Sequence, residues 1–221
     1  MAGVVPWSYS TLTAFETCPR RYYLTKIAKT VKEPQSEAMF SGNEVHKAIE
    51  LDLKGTKPLP EKYISYAPMV NSVRQYSGKK LVEHSFGLDV NLRPVGFFDK
   101  TVWVRGKIDF ALVGTKSAAL VDWKTGKVKE DLDQMRLFAG AGFALFPYIE
   151  KIRTSFVWLP ASKTTREDFT RKDIPIIWED FAHRVRRMEQ AEKTGEFPPN
   201  PSGLCRNWCP VGADKCEFCG G

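Results

Sequence analysis

The chain has 221 residues, 43% of them hydrophobic and 12% aromatic, with 33 Lys and Arg against 26 Asp and Glu for a formal net charge of +7. That supports one substantial globular core. It leaves no stretch near the roughly 18 apolar residues of a membrane span. The N-terminus MAGVVPWSYS lacks a basic segment followed by an apolar one, so neither anchoring nor secretion is expected and a cytoplasmic protein is. The basic balance favours a polyanionic partner, of which nucleic acid is the first candidate.

In chain order, Ser8-Tyr9-Ser10-Thr11 offers hydroxyl caps for a helix that continues through Leu12, Phe15, Tyr22 and Tyr23 and is ended or kinked at Pro19, just after Cys18. Arg20 and Arg21 beside Tyr22 read either as a surface helix or as a phosphate-contacting, base-stacking edge. Residues 25–39 read as a polar loop. From Phe40, SGNEVHKAIEL has a Ser/Asn capping signal and a Val45, Ile49, Leu51 stripe, which predicts a helix with His46 in its first turns. A lone histidine there is more often structural than a ligand. Residues 55–66 read as a connector and 67–76 as a short helix.

Strands are expected at Leu81–Phe86, which contains Glu83, at Val90–Leu92, and through Val95–Val104. The stretch RGKIDFALVGTKSAALVDWKTG then predicts a β-hairpin, with apolar runs Lys107–Val113 and Ala118–Trp123 around the turn Gly114-Thr115-Lys116-Ser117. Side chains alternate along a strand, so Asp122 and Lys124 share one side and Trp123 takes the other. Asp109 sits on the first strand, where the hairpin can bring the two carboxylates together. Two acids and an ammonium at one place suit a hard cation such as Mg²⁺; the plain alternative is a hairpin with solvated charges.

The apolar spacing of Leu132–Phe146 predicts a buried helix starting near Asp131 and carrying Gln134 and Arg136. Ile152–Leu159 reads as a strand, Ala161–Arg171 as a basic loop, and Ile176–Thr194 as a long helix. Phe197-Pro198-Pro199-Asn200-Pro201 then forces an extended linker. The tail LCRNWCPVGADKCEFCGG crowds Cys205, Cys209, Cys216 and Cys219 together, the pattern of a metal site and not of a disulfide framework. The element order is that of an α/β sandwich with a mixed sheet. Without a G-x-G-x-x-G or Walker lysine motif, a dinucleotide enzyme or NTPase has little support.

Six motifs occur together in order: SYSTLTAFETCPRRYYL, GNEVHKAIE, GKIDF, ALVDWKTGK, DLDQMRLFA and the terminal cysteines. This arrangement resembles the PD-(D/E)xK nuclease superfamily, in particular the RecB-type branch with AddB nuclease domains and CRISPR-adaptation nucleases. The resemblance implies a restriction-endonuclease-like α/β core, a mixed central sheet flanked by helices, over residues 1–196. It implies a cysteine-rich tail over 197–221 clasped to the N-terminal helix. It makes His46, Asp109 and Asp122 ligands of Mg²⁺ or Mn²⁺, with the Trp123 backbone carbonyl as a further ligand, and Lys124 the group that readies water for attack. Gln134 begins a DNA-contacting Q-x-x-x-Y motif whose last position is here Phe138, and Arg136 is a substitute phosphate contact.

The same resemblance implies a 4Fe-4S cluster on Cys18, Cys205, Cys209 and Cys216, with Cys219 as the alternative to Cys216. Read from spacing alone, Cys205, Cys209, Cys216 and Cys219 make a Zn²⁺ site instead. The activity implied is a metal-dependent deoxyribonuclease, an exonuclease on single-stranded DNA ends. It would serve recombination, repair, phage DNA processing or CRISPR adaptation in a bacterial, archaeal or phage-infected cell, alone or with a helicase or recombination partner. The competing readings are a non-catalytic DNA-binding module with a degenerate nuclease core and a zinc-ribbon adaptor.

Overall fold

A computed structural model of the chain describes residues 6–34, 36–129 and 132–219. Two compact units emerge, one built on Ser36–Glu179 and the other on Trp7–Gln35 with Asp180–Gly221. The elements in order are α1 (Tyr9–Thr17), α2 (Pro19–Tyr22), a π-turn (Tyr23–Ile27), α3 (Glu37–Leu53), a 3₁₀ segment (Glu61–Tyr66), α4 (Ala67–Ser72), β1 (Lys79–Leu88), β2 (Pro94–Val95), β3 (Val104–Val113) and β4 (Ser117–Lys124). They continue with α5 (Asp133–Leu145), β5 (Lys151–Trp158), β6 (Lys163–Thr170), α6 (Ile174–Thr194) and α7 (Cys205–Trp208). None of the described helices is long and apolar enough to cross a membrane.

The first unit is built on a six-stranded mixed sheet in the order β2-β1-β3-β4-β5-β6. Only β4 and β5 pair in parallel, and α5 supplies their crossover. Both faces of the sheet are covered, which is why β4 is almost continuously apolar. On one face α5 lies so close that a Cβ on Gly142 would come within 2.7 Å of Ile152 and 3.1 Å of Leu120. On the other, Val45, Ala48 and Ile49 of α3, with Tyr63 and Val70, pack against Phe110, Val121, Trp123 and Val157. Each large apolar side chain buried there contributes about 1.5–3 kcal/mol. Between β1 and β3, Gly106 leaves room for the Phe86 ring, which a Cβ would meet at 2.7 Å.

The hairpin is as expected, and so are the α5 and β5 positions; Asp131, where α5 was expected to begin, lies outside the described residues. Four expectations are corrected. First, most of the expected loop at 161–171 is strand β6, Lys163–Thr170: as the outer strand it can stay polar, and its charges blunt the sheet edge. Second, residues 90–92 are a turn, because the Asp89 side chain accepts from the N–H groups of Asn91 and Arg93, both at 2.8 Å. Third, of Val95–Val104 only the two end residues are strand, Val95 closing β2 and Val104 opening β3. Fourth, α3 starts at Glu37 because Ser36 caps it by accepting from the Met39 N–H at 3.2 Å, which places His46 near the middle of the helix.

The second unit is held by side chains distant in sequence. Arg184 makes paired contacts to Glu16 at 2.7 and 2.8 Å. Trp7 stacks on Phe181, and Tyr23 stacks on Phe197 with centroids 4.8 Å apart. The helix break at Cys18 follows from Pro19, which opens α2.

Candidate metal centre on the sheet and a thiol cluster

The strands set the acids. In the hairpin, Phe110 pairs with Val121, so Asp109 and Asp122 fall next to each other where the ladder ends. Asp109 is buried, and its Oδ2 accepts from the Trp123 N–H at 2.9 Å and lies 3.3 Å from His46 Nδ1. His46 comes from α3, whose apolar stripe seats it on the sheet. Its Gly42 lies where a Cβ would be 3.1 Å from Thr125 Oγ1, just beyond Lys124. That contact gives Gly42, four residues before His46 in GNEVHKAIE, a steric role.

Asp122 and Lys124 do share a side. Lys124 Nζ sits 2.7 Å from Asp122 Oδ2 and 4.4 Å from the Phe156 ring, while Trp123 is buried in the opposite layer. Gln134 of α5 joins the pair: its Oε1 accepts from Lys124 Nζ at 2.7 Å and its Nε2 donates to Asp122 Oδ1 at 3.2 Å. Burial first, and the neighbouring Asp109 charge second, push Asp122 up to about 6 against the pull of Lys124 and His46. Burial opposes protonation of His46, yet the Asp109 hydrogen bond and the charges of Asp109, Asp122 and Glu83 hold it above its ordinary value.

The closest ligand set among the described residues is His46, Glu83 and Asp109, each offering an atom within 4.8 Å of the others. Glu83 is the residue that sequence reasoning passed over. Val82 pairs with Phe110 and His84 with Ile108, so Glu83 falls opposite Asp109. It adopts φ 57°, a left-handed conformation rare for a non-glycine residue inside a strand, and its carboxylate is paired with Lys107. An acid between Val82 and His84 was visible, but only the register shows what it faces. The donor set of two carboxylates and an imidazole fits a divalent cation, and Asp122, paired with Lys124, stands beside that set and not within it.

The other expected site residues fall elsewhere. Tyr22 is buried at 3% exposure, edge-on to Phe15, with its hydroxyl donating to Glu192 at 2.8 Å. Its ring is core and is not available to stack a base, because the helix period turns it inward. Arg21 lies 3.2 Å from Glu33, Arg136 lies 3.5 Å from Asp133, and Phe138 is buried in α5. Arg20 and Arg21 line the same cavity as all five cysteines. There the Cys219 thiol is pushed up to about 12 by burial and by its neighbours Cys209 and Cys216. Cys18 Sγ accepts from the Asn200 N–H at 3.5 Å and Cys205 Sγ from the Ser202 N–H at 3.3 Å.

A family model described as the PD-(D/E)XK nuclease superfamily matches residues 6–213, and the chain belongs to that superfamily. Its members use divalent metals, and the six-stranded mixed sheet is the restriction-endonuclease-like fold. Among solved structures, a candidate exonuclease from Eubacterium rectale is similar at 13% identity and TM-score 0.57, over 91% of this chain and 86% of that one. The protein SSO0001 aligns at 14% identity and TM-score 0.49, over 96% and 86%. No curated protein matches the chain.

Proposed function

We propose that this chain is a Mg²⁺- or Mn²⁺-dependent deoxyribonuclease that works as an exonuclease on single-stranded ends. The observation that carries the reading is the approach of His46, Glu83 and Asp109 ligand atoms within 4.8 Å, beside the Asp122–Lys124–Gln134 cluster. His46, Asp109 and Asp122 would hold the divalent ion, with Glu83 and the Trp123 carbonyl completing the set. When bound, the ion supplies charge neutralisation at the scissile phosphate and activation of water. Lys124 holds the attacking water by hydrogen bond and lowers the cost of its losing a proton. Gln134 keeps the Lys124 ammonium at the site through its amide oxygen and steadies Asp122 through its amide nitrogen. The superfamily membership and the net charge of +7 support DNA as the substrate.

A cluster of iron and sulfide held by thiolates is the companion proposal for the second unit. Cys18, Cys205, Cys209 and Cys216 are the first set, with Cys219 for Cys216 as the alternative. Five thiols around one cavity support it, while Cys219's contacts with both Cys209 and Cys216 suit a set that keeps Cys216 and Cys219 together. A Zn²⁺ site on the four tail cysteines is the competing reading. Anaerobic purification followed by iron, sulfide and zinc analysis separates them.

Digestion of 5′- and 3′-labelled single strands with Mg²⁺ or Mn²⁺ tests the activity. Progressive loss of terminal nucleotides from wild type, absent in Asp109→Ala, is the expected result. Binding without cleavage by either ion would instead make the chain a DNA-binding module with an inert nuclease core.

A further inference from the structure

Past the metal centre, β1 and β3 continue as a paired ribbon that closes through residues 89–103. Ser85 pairs with Lys107 and Gly87 with Arg105, in the register that sets Glu83 opposite Asp109. Alternate residues of a strand share a face, so Asp109, Lys107 and Arg105 follow one another along it at intervals of ~7 Å. At the end of that line Arg105 lies 5.2 Å over the Phe97 ring, and Phe97 meets Phe98 edge-on with centroids 4.9 Å apart. Phe98 is 86% exposed.

A phenylalanine turned so fully into water does nothing for the core. The tip that carries it is also firmly built. Asp89 accepts from two backbone amides, and Asp99 accepts from the Thr101 N–H at 2.8 Å and its hydroxyl at 2.7 Å. Both carboxylates therefore face their own turns, while Arg93 and Lys100 of the same segment are exposed. An aromatic face with cations interleaved is the recognition chemistry of a single-stranded polyanion, whose bases stack and whose phosphates pair. A protein-binding centre would instead be depleted of charge.

We propose that the Phe97–Phe98 tip, with Arg105 behind it, is a subsite that stacks bases of the single-stranded DNA leading to the metal centre. The proposal rests on the nuclease reading for its substrate. Stacking on an aromatic side chain tolerates any sequence, because every base offers a π-face.

Fluorescence polarisation with a labelled oligothymidylate, Ca²⁺ replacing Mg²⁺ so that the strand survives, tests it. Phe98→Ala and Phe98→Leu should weaken binding about tenfold, whereas Phe98→Trp, which keeps a stacking face, should stay within about twofold of wild type. Wild-type affinity in Phe98→Leu would overturn the proposal, since it would show that no stacking is lost. So would sedimentation showing that Phe98→Ala breaks a dimer while DNA affinity is unchanged. A wild-type protein that binds the strand but never cuts it with Mg²⁺ ends the nuclease reading alone. One that cuts it, with the three Phe98 variants binding alike, ends the tip proposal alone.

Discussion

In the first unit every acidic or imidazole ligand candidate already has a partner of opposite character: His46 with Asp109, Glu83 with Lys107, Asp122 with Lys124. In the second unit the thiols have mainly one another and two backbone amides. The first group is placed by sheet register and by an apolar helix stripe. The second sits on a tail whose described regular structure is the four-residue α7, packed against a small cluster around Leu24, Val31 and Val211. A cation in the first region would act on a scaffold already built by packing; in the second it would contribute to folding itself.

The sharpest way to break that contrast is Lys124→Ala. If Lys124 acts only on the reacting water, cleavage should fall about 10²–10⁴-fold while single-strand affinity and unfolding temperature hold, as steady-state kinetics, polarisation and calorimetry would show. Loss of fold along with activity would mean that the ion pair is structural.

Cys216→Ala probes the other side. Unfolding temperature should drop on the order of 10 °C, because ~2–4 °C accompanies each kcal/mol in a chain of this size and a structural metal contributes several. A melting curve identical to wild type would remove the tail's structural role.

Glu83→Gly sharpens the first region. Glycine adopts φ 57° freely, so relief of strain of about 1–3 kcal/mol should raise the unfolding temperature by several degrees. The same change should weaken Mn²⁺ binding by calorimetry. A destabilised variant with normal Mn²⁺ affinity would show that Glu83 serves the Lys107 pair alone.

The smallest effect is pH. Asp122 binds a cation only as a carboxylate, and its pKa is raised to about 6 by burial and Asp109. Affinity for Mn²⁺ should be full above that value and decline several-fold as pH falls below it. An affinity that is flat between pH 7.5 and 5.5 would place Asp122 outside the ligand set.

Much of the first region was legible beforehand. The alternation in ALVDWK separated Asp122 and Lys124 from Trp123, and the turn residues at 114–117 implied the hairpin that joins Asp109 to Asp122. Glu83 was not legible, because its partner depends on a pairing 26 positions away in sequence. Gln134 was expected at DNA, yet its amide bridges Lys124 and Asp122, a contact between a helix and a strand that spacing does not encode. Tyr22 misled because its arginine neighbours suggested a surface while its own helical phase made it core.

By itself the sequence determined which residues alternate, cap and turn, since those are local properties of the backbone and of adjacent side chains. It therefore determined the hairpin, the α5 helix and the crowding of thiols in the tail. Only the tertiary structure decided that Glu83 joins His46 and Asp109, that Gln134 steadies the lysine, and that Phe98 stands in solvent at the end of a basic strand. Each of these depends on sheet register and on packing between distant segments, where burial free energy and steric fit, not local preference, choose the neighbour.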